Sequence, residues 1–175
     1  MKKFGVLILI IVVGVVVYMT RDTSVPGLGI DRPQSGNFQP DPSNATLIFD
    51  DGAVALSQGK GEKEFEEITL LEEIAYGDIN NDKKDDAVTF VARSGGGSGT
   101  FIYVAAYVSG PINYKGTNAV FLGDRISPQK ISINDDFIIV EYFDRREEES
   151  FASEPTILIS RQFFFKNGVL EERGG

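Results

Sequence analysis

The chain opens with an uninterrupted apolar run before it changes to short alternating segments. Residues 4–19, FGVLILIIVVGVVVYM, carry no charge and follow Lys2 and Lys3. A helix of this length reaches about 24 Å, and snorkelling of Lys3 and Arg21 extends it toward the roughly 30 Å hydrocarbon core. The pattern predicts a transmembrane signal anchor over residues 1–20. The basic N-terminus then stays in the cytoplasm, and the rest of the chain lies outside the cell membrane as a single-pass protein.

A cleaved signal peptide is the alternative to this anchor, because its apolar region is also short. Cleavage requires small residues after the apolar run, and residues 17–21 read VYMTR. Because these residues do not form a small-residue cleavage pattern, the sequence favours the uncleaved anchor. The chain contains no cysteine, which excludes a lipid-modified lipoprotein N-terminus.

Residues 21–45 have the composition of a linker. They contain Pro26, Pro33, Pro40 and Pro42 among Gly, Ser, Asn and Asp, with few apolar residues to bury. The sequence predicts a disordered spacer that holds a domain clear of the membrane.

From residue 46 to 173, short β-prone runs alternate with turn signals such as Asp51-Gly52 and Asn167-Gly168. The run over residues 66–76 favours a strand over a helix, and GGGSG at 95–99 is a turn. Residues 100–109, TFIYVAAYVS, are apolar on both faces, which predicts a central strand. We expect a mainly β, antiparallel sandwich or barrel-like domain, with further strands at TLIF, AVALS, AVTFVAR, NAVFLGD, QKISI, FIIVEYF, TILISRQFFF and VLEE.

Composition narrows the function classes. Outside the first 19 residues the chain keeps all 26 acidic but only 15 of its 17 basic residues, a formal charge of −11. Such a surface repels phosphate backbones, so no nucleic-acid partner is expected. The absence of His and Cys removes Ser-His-Asp and Cys-His catalysis and ordinary zinc sites.

The stretch GDINNDKKDD, residues 77–86, is the candidate metal site. Calcium takes six to eight oxygen ligands and tolerates irregular geometry. Oxygen-bearing groups recur at alternate positions of this turn, and a bare Asx-rich turn without an ion is the alternative. The predicted calcium ligands are the side chains of Asp78, Asn80, Asp82 and Asp86 and the backbone carbonyl of Lys84.

The spacing resembles the calcium loop of FG-GAP-type repeats, D-x-[DN]-x-D-x-x-x-D, followed here by the strand AVTF. Two positions depart from such loops. Lys83 stands where Gly usually supplies positive φ, at a cost of about 1 kcal/mol. Thr89 cannot act as the bidentate carboxylate of an EF-hand loop, so we expect modest affinity, with a Kd of about 10⁻⁴ to 10⁻³ M.

Across residues 66–165 the chain resembles a family of bacterial exported and lipoprotein-type β domains. The shared motifs are the acidic loop, GGGSGTF at 95–101 and LGDR at 122–125. Paired cysteines of many members are replaced here by Ser153-Glu154-Pro155-Thr156. The resemblance implies an envelope location and carries no settled activity.

These observations favour a non-enzymatic, membrane-anchored extracytoplasmic domain with a structural calcium loop and a role in envelope interaction, whose partner is an envelope protein or a glycan. A ligand-binding or inhibitor domain using Tyr103, Tyr107 or Tyr114 is the alternative. A carboxylate-based glycan hydrolase is the third hypothesis, although no carboxylate pair is marked by an apolar setting. For Asp124-Arg125 the sequence suggests an ion pair that reaches another strand.

Overall fold

The computed structural model describes residues 38–134 and 137–174. The predicted anchor at residues 4–19 and most of the predicted linker lie outside these residues. In the described part, no helix is long and apolar enough to cross a membrane.

The described chain is mainly β, and all paired strands are antiparallel. A short 3-10 turn, Pro42–Asn44, precedes the first strand. The strands are β1 Thr46–Phe49, β2 Gly52–Ala55, β3 Lys60–Lys63, β4 Glu66–Gly77, β5 Asp86–Gly95, β6 Thr100–Val108, β7 Lys115–Gly116, β8 Val120–Asp124, β9 Ser127–Asn134, β10 Phe137–Asp144, β11 Ile157–Lys166 and β12 Val169–Glu172.

The strands form three layers. The middle layer is the sheet β3-β4-β5-β6-β7, with β8 also pairing β6. The sheet β12-β11-β10-β9 covers one face of it, and the hairpin β1-β2 packs on the other. No sheet closes into a barrel over the ranges that the structure describes.

Two hydrophobic clusters hold these layers together. Alternation along β6 sends Ile102, Val104 and Ala106 toward the four-stranded sheet, where they meet Val140 and Phe163. The intervening Ala105 joins the second cluster under the hairpin with Leu47, Phe49, Val54, Leu56, Ile68 and Val91. Because both faces of β6 are covered, the predicted central strand is confirmed.

The other predicted strands are also confirmed, including β4 in place of a helix. Its long run contains a register shift between Leu70 and Ile74, where the strand bulges past β5. The turn at Asn167-Gly168 has positive φ at both residues, as a two-residue hairpin turn requires. Two short strands went unpredicted: β3 is polar and β7 has only two residues, so neither carries a periodic signal.

The end of the predicted linker contacts the β domain. Asp41 caps the 3-10 turn by accepting from the Ser43 amide at 2.9 Å. Ala45 is buried in the hairpin cluster, and its carbonyl accepts from the Leu56 amide at 2.8 Å. Residues 41–45 therefore belong to the folded unit although their composition resembles the linker.

The segment Thr117–Ala119 links all three layers. The Ile48 amide donates to the Thr117 carbonyl at 3.0 Å, and the Ala119 amide donates to the Ile48 carbonyl at 2.8 Å. On the opposite side, the Asn118 side chain exchanges two hydrogen bonds with the backbone of Leu170, at 2.9 and 2.7 Å. The Asn118 carboxamide thus makes with β12 the pair of hydrogen bonds that the backbone of a neighbouring strand would make.

Candidate cation-binding loop

The acidic loop joins β4 to β5 and lies beside the end of β6. Asp78 follows the last residue of β4, and Asp86 begins β5. Ser109, the first residue after β6, is buried against the loop. Three consecutive sheet strands therefore fix the two ends and one side of the loop.

The first two predicted ligands turn their oxygens into the loop. Asp78 Oδ1 and Asn80 Oδ1 both accept from the Asp82 amide, at 3.1 and 3.0 Å. Asp78 Oδ1 also accepts from the Asn80 amide at 3.3 Å, and Asp78 Oδ2 from the Lys83 amide at 2.7 Å. Because these two side-chain oxygens share one N–H donor, they lie on the same side of the turn.

The backbone at Lys83 has the positive φ that its position in the loop suggests. Its φ is 66°, and Asn81 has a φ of 62°. Asn tolerates this left-handed region well, whereas a lysine there costs about 1 kcal/mol. The Asp78 carboxylate offsets part of that cost, since the strained turn delivers the Lys83 amide to it.

Asp82 connects the loop to β6. Its Oδ1 accepts from the Lys84 amide at 2.9 Å, and its Oδ2 accepts from the Ser109 hydroxyl. Asn80 Nδ2 donates to the Ser109 carbonyl at 2.9 Å and to its hydroxyl at 3.1 Å. Burial raises the pKa of Asp82, but the hydrogen bonds from Ser109 and Lys84 outweigh it and hold the pKa below its usual range.

Asp86 lies beneath the loop, with no accessible surface. Its Oδ1 accepts from the Ser109 amide at 2.7 Å and its Oδ2 from the Ile79 amide at 3.0 Å. Burial raises the pKa of Asp86, and the nearby charge of Asp82 acts in the same direction. This carboxylate serves as a buried acceptor that positions Ser109 under the loop.

Lys84 faces the same corner of the loop. Its ammonium lies 3.7 Å from Asp82 Oδ2 and 3.4 Å from the Gly110 carbonyl. A cation bound to Asp82 would compete with this ammonium, which weakens affinity. The structure therefore brings Asp78 and Asn80 together around the Asp82 amide, and it connects Asp82 to Asp86 through Ser109.

The donor set is the oxygen-only kind that calcium takes. Asp78, Asn80 and Asp82 offer side-chain oxygens on one turn, and Asn80 Oδ1 and Asp78 Oδ2 each accept a single hydrogen bond, which leaves them a second lone pair. Within residues 38–134 and 137–174, no group of three or more Asp, Glu, His or Cys side chains is placed to hold a metal ion. A calcium ion would therefore need Asn80, backbone oxygens and water to complete its coordination.

Asp82 and Asp86 also form a pair whose pKa values are pushed in opposite directions, a pattern seen in acid–base catalysis. The geometry opposes that role here. Asp86 is fully buried, and both of its oxygens accept backbone amides. A general acid must reach the substrate oxygen, and Asp86 cannot do so without opening the loop.

The two motifs outside the loop meet at the opposite end of β5. Asp124 Oδ1 accepts from the Thr100 amide at 3.0 Å, so the carboxylate reaches β6. The Arg125 guanidinium pairs with its own neighbour Asp124 at 3.1 Å and covers the ring of Phe151 at 4.4 Å. The expected ion pair to another strand is therefore an ion pair between adjacent residues.

The first glycine of the glycine-rich turn, Gly95, lies where a side chain would not fit. A Cβ at this position would lie 2.4 Å from the Phe65 carbonyl oxygen, which is closer than atoms can pack. Gly96 has a φ of 59° and permits the reversal into β6.

Ser109 is the residue of the loop site that sequence reasoning did not identify. It lies 23 residues from Asp86, and only the pairing of β5 with β6 brings the two together. Its place in the turn Ser109-Gly110-Pro111 was the available signal, since serine there indicates local hydrogen bonding. Comparison with protein-family models, curated proteins and solved structures finds no match to this chain.

Proposed function

We propose that this protein is a non-enzymatic, membrane-anchored extracytoplasmic β domain whose acidic loop binds calcium weakly and stabilises the fold. The observation that carries the proposal is the shared direction of the Asp78 and Asn80 oxygens toward the Asp82 amide. A cation at this turn would draw three oxygen-bearing side chains inward and tie β4, β5 and β6 together. The domain would then present its β surface to an envelope protein or a glycan.

A calcium titration of fragment 38–175, followed by thermal unfolding, tests the loop. If the Kd is near 10⁻³ M, 10 mM calcium stabilises the fold by about 1.4 kcal/mol. This corresponds to a rise in Tm of several degrees for a domain of this size. Magnesium should give a smaller rise, because it requires stricter octahedral geometry and releases its waters reluctantly.

Two charge-matched variants separate site binding from general screening of an acidic protein. Asp82→Asn removes one negative charge from the loop, and Glu147→Gln removes one from an exposed loop elsewhere. We expect the calcium-dependent rise to vanish in Asp82→Asn and to persist in Glu147→Gln. Equal loss in both variants, or no rise in the parent fragment, would reject the calcium loop.

Ligand capture is the second candidate, favoured by a cleft beside the hairpin. Tyr107 and Tyr114 stack with ring centroids 5.3 Å apart and line an open cavity of about 470 Å³. Tyr103 does not join them, since it packs edge-to-face on Phe49. The chain has no Trp, so its tyrosine emission can be followed directly, and two of its six tyrosines line this cleft. Quenching by N-acetylglucosamine oligomers that disappears in Tyr114→Ala would support a glycan ligand, and unchanged fluorescence would oppose it.

A further inference from the structure

A cavity of about 520 Å³ lies where the three layers of strands meet. Its walls include Ile48 of β1, Val108 at the end of β6 and Phe165 near the end of β11. The volume is within the range of about 300 to 1,000 Å³ that small-molecule sites occupy. The tyrosine cleft adjoins this cavity and shares Ile48 with it, but the described residues that line the cavity include no tyrosine. The cavity is therefore a separate candidate site.

The apolar walls of this cavity are poorly covered by the rest of the domain. Ile48 is 51% exposed, and Ile112, on the loop after β6, is 96% exposed. Pro111 beside Ile112 is also exposed. Phe165 is only partly buried, although it packs against the larger hydrophobic cluster. A ligand with a hydrocarbon body that covered these side chains would be held by the hydrophobic effect.

The hydroxyl groups of the cavity are already used by the fold. The Ser109 hydroxyl donates to Asp82. The Thr117 hydroxyl donates to the Asn118 carbonyl at 2.9 Å and accepts from the Ala106 amide at 3.0 Å. An extended peptide in the cavity would bring backbone N–H and C=O groups, and burying such groups without partners is costly. The lining therefore favours a ligand whose buried part is a plain hydrocarbon chain.

The charge of the lining selects the other end of the ligand. Among the described residues that line the cavity, Lys115 alone is charged, in a chain with 26 acidic and 17 basic residues. Lys115 is exposed, so its ammonium is accessible to a ligand. The Asp82 carboxylate, which contacts Ser109 from the acidic loop, lies 3.7 Å from the Lys84 ammonium and is thus already paired. A single cation beside apolar walls fits a ligand with one anionic group.

We infer that this cavity binds a medium-chain fatty acid, with its alkyl chain against Ile48, Ile112 and Phe165 and its carboxylate paired with the Lys115 ammonium. An apolar pocket with a polar group that fixes the orientation of the ligand is the usual form of a small-molecule site. The inference depends neither on calcium in the acidic loop nor on the predicted anchor. It also concerns a different ligand from the glycan considered for the tyrosine cleft.

Equilibrium dialysis of fragment 38–175 with radiolabelled probes tests the inference. Residues 37–175 form one compact unit that contains both hydrophobic clusters, so the fragment keeps the folded domain and the whole lining. Decanoate, decanol and decyltrimethylammonium carry alkyl chains of nearly the same length on an anionic, a neutral and a cationic head group. We expect decanoate to bind about threefold more tightly than decanol, and decyltrimethylammonium to bind most weakly. Octanoate, whose chain is shorter, should bind about tenfold more weakly than decanoate.

Two charge-matched substitutions locate the carboxylate. Lys115→Gln should lower decanoate affinity about threefold and leave decanol affinity unchanged. Lys130→Gln, at an exposed lysine of β9 outside the cavity, should change neither affinity. Ile112→Ser should weaken decanoate and decanol alike, by at least about fivefold, and because Ile112 is 96% exposed, its replacement leaves the fold intact. Absence of decanoate binding, equal affinities for decanoate and decanol, or equal effects of the two lysine substitutions would each overturn the inference.

Discussion

Ser109→Ala is the substitution that most sharply tests how the acidic loop is held. It removes the hydroxyl that donates to Asp82 and accepts from Asn80, while the Ser109 backbone keeps its bonds to Asp86 and Asn80. A hydrogen bond to a charged group contributes about 1.5 to 3 kcal/mol. The Asp82 side chain is 30% exposed, so water replaces part of the lost bond. We therefore expect a loss near the lower end, about 1.5 kcal/mol.

Urea unfolding of fragment 38–175 measures this loss as a lower midpoint at unchanged slope. Ser94→Ala, at the other end of β5, is the control and should change stability by less than about 0.5 kcal/mol. The Asp82 pKa should also rise in Ser109→Ala, because one hydrogen bond that lowers it is gone. If the two serine variants unfold at the same midpoint, Ser109 does not hold the loop and the account of the site is wrong.

Three further predictions concern the backbone, the layers and the ion pairs. Lys83→Gly should raise the unfolding free energy by about 1 kcal/mol, since glycine adopts a φ of 66° without strain. A lower urea midpoint for this variant would contradict the loop geometry. Asn118→Ala should lower the free energy of unfolding by about 2 to 4 kcal/mol, because it leaves both backbone groups of the buried Leu170 unpaired. An unchanged Tm in thermal unfolding would show that the layers do not depend on Asn118. Asp51, whose pKa the Arg93 guanidinium holds well below 3.8, contributes stability at neutral pH that is lost as the pH falls below about 4. Asp51→Asn should therefore flatten the acid limb of a stability-against-pH curve, and an unchanged limb would refute the pairing.

The strands were largely predictable because their signals are local. Alternation along residues 100–108 and the turn signal at Asn167-Gly168 are readable within a few residues. The sheet to which each strand belongs could not be predicted from the sequence. It depends on contacts such as the Asn118–Leu170 exchange, which joins residues 52 positions apart.

The candidate site also has a part that could be predicted from local sequence and a part that could not. The spacing of Asp78, Asn80 and Asp82 predicted a turn with inward oxygens, and the positive φ of Lys83 agrees with that turn. Asp86 has the right spacing for a ligand, but β5 begins at this residue and buries it. The role of Ser109 depends on strand pairing, which no short motif encodes.

A crystal structure of fragment 38–175 grown in 10 mM calcium would show whether the acidic loop holds an ion. We expect one ion at about 2.3 to 2.6 Å from oxygens of Asp78, Asn80 and Asp82, with waters completing its coordination. A loop that keeps its amide hydrogen bonds and shows no ion among these three side chains at that concentration would contradict it.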